Sequence, residues 1–127
     1  MQIANILIGR SNALLVAGKW GEALSDAERA LQIGTESEAG TINKCIALKK
    51  LDRKEEATKI IQDILPKLKN KYLRSSAFTV LGDKKNMLME LKMAIDENSG
   101  TRVEAKFDPD FADYREDPDF QKLVYGK

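Results

Sequence analysis

The sequence has no histidine, one cysteine, three prolines, one tryptophan and no apolar run approaching 18 residues. Each absence removes a class of function. Without histidine the commonest general base, the commonest zinc ligand and the usual switch near neutral pH are gone. The single thiol, Cys45, cannot form an internal disulfide, a CxxC redox pair or a thiolate metal cage, which fits a reducing compartment. The lack of a long apolar run excludes a membrane-spanning helix, and the opening MQIANILIGRSNALLVAGKW lacks the basic n-region and unbroken apolar h-region of a secretory leader. An excess of one charge is missing too. Twenty-one Lys and Arg stand against 20 Asp and Glu, a formal net charge of +1, so no global field draws the chain to nucleic acid or anionic lipid. A cytoplasmic protein without cofactor or metal is expected.

What is there is a chain of 127 residues, 43% apolar and 32% charged, which argues against disorder and suffices for a buried core. It repeats itself. RSNAL at 10–14 recurs as KCIAL at 44–48 and RSSAF at 74–78, with spacings of 34 and then 30. The same offsets align Gly18 with Asp52 and Gly82, Ala23 with Ala57 and Met87, Ala30 with Ile64 and Ala94, and Leu31 with Leu65 and Ile95. Within each unit the small columns recur at helical spacing, and a turn residue splits the unit into two segments, so each unit reads as a helical hairpin. The column Ser11, Cys45, Ser75 and the Ala columns let two helices approach closely.

End signals agree with this division. Gly34 is expected to close a helix in the left-handed conformation, and Thr35 with Glu38 to form a capping box for the next helix. Asp52 with Glu55, and Thr101 with Glu104, offer further capping boxes, while Asp108-Pro109 and Asp117-Pro118 each place an N-cap before a proline preset for the first turn. Two short terminal helices follow.

The 34-residue spacing, the small residue followed two later by Ala and three later by a large apolar residue, and the Ala of GKWGEAL resemble the tetratricopeptide repeat over about residues 4–97. The tail FDPDFADYREDPDFQKLV is similar to the segment that closes many bacterial arrays of this kind. The resemblance implies an all-α chain, a right-handed α-α superhelix of about three hairpins (4–35, 38–67, 68–98) with a short helical C-terminal cap (101–127), read as one domain over 1–127. The sequence departs from the pattern in places: no proline ends the first unit, Pro66 comes a turn early, and the third unit starts four residues early.

The function implied is a non-enzymatic scaffold that holds a peptide of a partner protein against the concave face formed by the first helices. Family positions place in that groove Asn5, Ile8, Asn12 and Leu15 from the first unit, Ile42, Asn43, Ile46 and Lys49 from the second, and Lys69, Tyr72, Ser76 and Thr79 from the third. Asn can satisfy donor and acceptor of a peptide backbone, and Lys can pair with a carboxylate. Some relatives clamp the C-terminal carboxylate of chaperones with two Asn and several basic residues. Asn12, Asn43 and Lys69 fall on such positions, but Ile8 and Leu73 stand where two of the cations belong, so general peptide binding is the better reading.

Nine basic residues oppose four acids between 49 and 74, and seven acids oppose five basic residues in 101–127. Helical spacing scatters these charges, and acids at i±3 or i±4 neutralise several of them, so a solvated face is expected instead of a nucleic-acid footprint. Cys45 reads as a small buried residue and Trp20 as a packing residue over a turn. Asp108, Asp110, Asp117 and Asp119 lack the glycine and distal glutamate of a calcium loop. Ile3, Ile6, Leu7 and Ile8 ring the first helix almost continuously. That leaves an apolar outer side with two readings: self-association as a homodimer, or a piece of a longer enzyme or regulatory protein.

Overall fold

The computed structural model describes residues 2–34 and 37–126, and all regular structure in them is helical. The elements are α1 (Gln2–Val16), α2 (Trp20–Ile33), α3 (Glu38–Lys50), α4 (Lys54–Ile64), α5 (Lys71–Leu81), α6 (Lys84–Glu97), α7 (Thr101–Phe107) and α8 (Pro118–Tyr125). Short 3-10 turns follow α4 (Leu65–Lys67) and precede α8 (Pro109–Tyr114). Contacts divide the chain into two compact units, 1–67 and 68–127.

The repeat is built into the backbone. Gly18, Asp52 and Gly82 all adopt positive φ, at 77°, 63° and 72°. Each follows the end of a helix, and each turn makes the same two hydrogen bonds. Lys19 N donates to Leu14 O and Gly18 N to Leu15 O; Arg53 N donates to Leu48 O and Asp52 N to Lys49 O; Asp83 N donates to Phe78 O and Gly82 N to Thr79 O. This paired capping satisfies carbonyls that the helix end leaves open, and it requires a left-handed residue where only glycine is free of steric cost. Asp52 supplies that conformation at some cost, which aspartate tolerates better than most residues.

In the first unit α1 packs on α2, α2 on α3, α3 on α4, and α1 also on α3. Ala23, Ala27 and Ala30 have no exposed surface, and neither do Cys45, Leu48, Ala57 and Ile61. The small residues on α2 bring it close to its neighbours. In the second unit α5 packs on α6, α6 touches α7 and α8, α7 packs on α8, and the 3-10 turn 109–114 lies on α5. Ala77, Val80, Met87, Leu91, Phe111 and Phe120 are fully buried there.

Two hydroxyls of the small column do the same work in their hairpins. Ser11 Oγ donates to Ala23 O and Ser75 Oγ to Met87 O, both at 2.8 Å, and their column partner Cys45 is equally buried. Trp20 lies over the first turn: a Cβ on Gly18 would sit 3.8 Å from its ring.

Several end signals resolve differently from expectation. Gly34 is not left-handed (φ −125°); its hydrogen side faces α1, where a Cβ would come within 3.1 Å of the Ala4 Cβ, so close approach accounts for the glycine. Thr35 lies outside the described residues, and the N-cap of α3 is Ser37, whose Oγ accepts from Gly40 N at 2.9 Å. Asp52 does not cap α4, because it is taken up in closing α3; Arg53 occupies the cap position without a side-chain bond. Thr101 sits inside the first turn of α7, with Gly100 at the cap. Asp108 and Asp117 are N-caps as expected, with Pro109 and Pro118 in the first turn.

Candidate binding surface

In the first unit the expected groove residues separate by burial. On α1, Asn5 and Asn12 are exposed and Ile8 is half-buried. Their i, i+3, i+7 spacing puts the three on one helix face. Leu15, Ile42 and Ile46 are buried, at 2%, 1% and 5% exposure, so packing claims side chains that the family resemblance places in the groove. Asn43 is brought against α1: its Nδ2 donates to Ile8 O at 3.2 Å, a bond between the first helices of successive hairpins. Its amide therefore links α3 to α1. Lys49, near the end of α3, is half-buried.

In the second unit Lys69 precedes α5, whose N-cap is Asn70, so it stands exposed in the connecting segment and not on the helix. Ser76 and Thr79 are buried, and Thr79 Oγ1 donates to Ser76 O at 2.5 Å. Tyr72 turns its phenol to the chain's own tail, donating to Asp108 Oδ2 at 2.7 Å, while Phe111 stands edge-on to its ring with centroids 5.6 Å apart. Burial first, and then the Asp108 charge, push the Tyr72 phenol well above its usual range. The tail thus covers the part of α5 that the sequence assigned to a ligand.

Two ion pairs recur with the repeat and were not foreseen. Arg10 Nε and Nη2 bind the Asp26 carboxylate at 2.5 and 2.7 Å, and 64 residues later Arg74 Nε binds Glu90 Oε1 at 3.0 Å. The basic column Arg10, Lys44, Arg74 was visible; its acidic partner 16 residues on was not, because the middle unit has Ile60 there. Lys44 instead approaches Glu28 at 3.6 Å. The Arg10 bond holds the Asp26 carboxyl below its ordinary range, and the same bond raises the guanidinium. Arg10, Leu14, Glu22, Ser25 and Asp26 line a hollow of about 390 Å³. Its arginine and aspartate are committed to each other, so the hollow's polar wall is an ion pair flanked by Glu22 and Ser25.

Cys45 is buried, and desolvation pushes its thiol up to about 12, so it stays protonated at neutral pH. Among the described residues no three acidic or thiol side chains are grouped to hold a metal ion, and no helix is long and apolar enough to cross a membrane. Comparison of the chain with models of protein families, with curated proteins and with solved structures gives no match.

Proposed function

We propose that this chain is a non-enzymatic tetratricopeptide-type scaffold, working in the cytoplasm, that holds a peptide segment of a partner protein on the first helices of its hairpins. The observation that carries the reading is the triplicate left-handed turn at Gly18, Asp52 and Gly82, with one capping pattern in all three. Within the first unit α1 also packs on α3, so the first helices of two successive hairpins lie next to each other, as in a stacked repeat array. Their surface offers Asn5, Ile8 and Asn12 in a row on α1, next to α3, with two exposed amides flanking one partly apolar contact. Amides bind a peptide backbone with little regard to its side chains. The test is binding of the copurifying partner by the double variant Asn5→Ala, Asn12→Ala. A loss of about tenfold in affinity, near 1.4 kcal/mol, is expected with an unchanged melting temperature; unchanged affinity removes α1 from the binding face.

A second reading has its own observation. Ile3, Ile6 and Val16 are 60%, 67% and 66% exposed on α1. Ala13 is exposed there as well, although its column partners Ala47 and Ala77 are fully buried. Such a face favours self-association. Ile6→Glu is expected to abolish any dimer seen by sedimentation, and a strict monomer at high concentration ends this reading.

A further inference from the structure

The tail carries Asp-Pro-Asp-Phe twice, at 108–111 and 117–120, and the two copies fold alike: Asp108 Oδ1 accepts from Asp110 N at 2.8 Å, Asp117 Oδ1 from Asp119 N at 2.9 Å, and both Phe111 and Phe120 are fully buried. Their acids meet different surroundings. Lys84 Nζ lies between Asp117 (2.7 Å) and Asp119 (2.9 Å), so the two acids of the second copy share one cation. The first copy faces Tyr72 and Ser76 on α5. Asp110 is only 9% exposed, no cation among the described residues is paired with it, and what it faces on α5 is the buried, uncharged Ser76 hydroxyl. Arg115, the cation of its own segment, donates from Nη2 to the Asp108 backbone carbonyl at 2.7 Å, and its Nε is buried without a partner.

We propose that residues 108–115 form a pH-sensitive latch on α5, closed while the Asp110 carboxyl keeps its proton and loosened when it ionises beside Asp108. A buried ionised carboxylate with no cation bonded to it costs several times more than the neutral acid. Burial, and then the like charge of Asp108, raise the Asp110 carboxyl well above its ordinary range, with the Ser76 hydroxyl pulling the other way. The groups that face the latch are Tyr72 on α5, Glu104 on α7, which acts on Tyr72, and Asp108 and Arg115 on the segment itself; Lys84 with Asp117 and Asp119 is satisfied on the neighbouring copy. Opening uncovers Tyr72 and Ser76. That it thereby frees a peptide-binding position rests on the function proposed above; the latch itself does not.

Amide exchange on the full chain tests it without any partner. The protection factors of Asp110 N, bonded to Asp108 Oδ1, and Phe111 N, bonded to Asp108 O, are followed from pH 5 to pH 8, with Gln121 N, bonded to Asp117 O, as the reference. In the native sequence the first two are expected to fall at least tenfold as pH rises while Gln121 holds. Asp110→Asn should keep them high throughout. A flat native profile, or an equal fall in Asp110→Asn, overturns the latch. Should that variant not fold, the native chain still decides: the carbon titration of the Asp110 carboxyl must share its midpoint with the loss of Phe111 protection, and separate midpoints overturn the proposal. A dead latch leaves the scaffold reading standing, and a failed binding experiment leaves the latch standing.

Discussion

Asp-Pro-Asp-Phe at 108–111 and at 117–120 is one sequence with one backbone role and two electrostatic fates. In each copy the first aspartate caps, the proline starts the turn and the phenylalanine reaches the core. At 117–120 the Lys84 hydrogen bond lowers the carboxyl of the first aspartate, Asp117, whereas at 108–111 burial raises that of the second, Asp110. The difference comes from what lies opposite: the first turn of α6 supplies an ammonium, and α5 supplies a phenol and a hydroxyl. A short motif therefore fixes its own turn but not the protonation of its acids.

The sign of the pH dependence differs accordingly. The contribution of Asp110 is fully present below about pH 4, the range of an unfolded aspartate, and is lost as pH rises through its raised folded value. That of Asp117 is present above about pH 4 and is lost as pH falls through its lowered folded value. Asp26 follows Asp117, since the Arg10 bond lowers it too.

The largest expected effect tests whether the two copies are equal as anchors. Phe111→Ala and Phe120→Ala should each cost about 3–5 kcal/mol in urea unfolding, as for other buried aromatics; a cost below about 1 kcal/mol at either position breaks the equivalence. Next comes the electrostatic difference. Asp110→Asn should stabilise the chain at pH 7 by about 1 kcal/mol, because an amide can stay neutral where the acid is strained, and the gain should vanish at pH 4. The hairpin turns provide a comparison in which position alone matters: Asp52→Gly should gain somewhat under 1 kcal/mol and Gly82→Ala lose about as much, read from melting temperature. The smallest effect is Lys84→Met, which should move the Asp117 titration midpoint upward in a carbon-detected titration with little change in stability. If Asp117 does not move, Lys84 is not what distinguishes the copies.

Much of the helical architecture was legible. The columns Gly18, Asp52, Gly82 and Ser11, Cys45, Ser75 are chain-local demands, a turn and a small volume; the alignment of the columns shows the turn position, but the aspartate at 52 does not by its type announce the positive φ it adopts. The site was less legible. Leu15, Ile42, Ile46, Ser76 and Thr79 hold family groove positions as Asn5 and Asn12 do, and such a position names a helix face without saying what else packs on it. Capping boxes were misassigned where a residue served two ends: Asp52 satisfies both an N-cap pattern and a left-handed C-terminal position, and only one can be realised.

By itself, then, the sequence determined the 34 and 30 spacing, the positions of the three turns and the two Asp-Pro caps; the turns and caps are legible because they rest on hydrogen bonds within a few residues of chain. Only the tertiary structure decided that Asn43 ties α3 to α1, that Arg10 and Arg74 find acids 16 residues on, and that one Asp-Pro-Asp-Phe meets Lys84 while its twin meets Tyr72. Those outcomes depend on which helix faces which. The energy of a buried charge is set by the groups across that gap, which the local pattern does not contain.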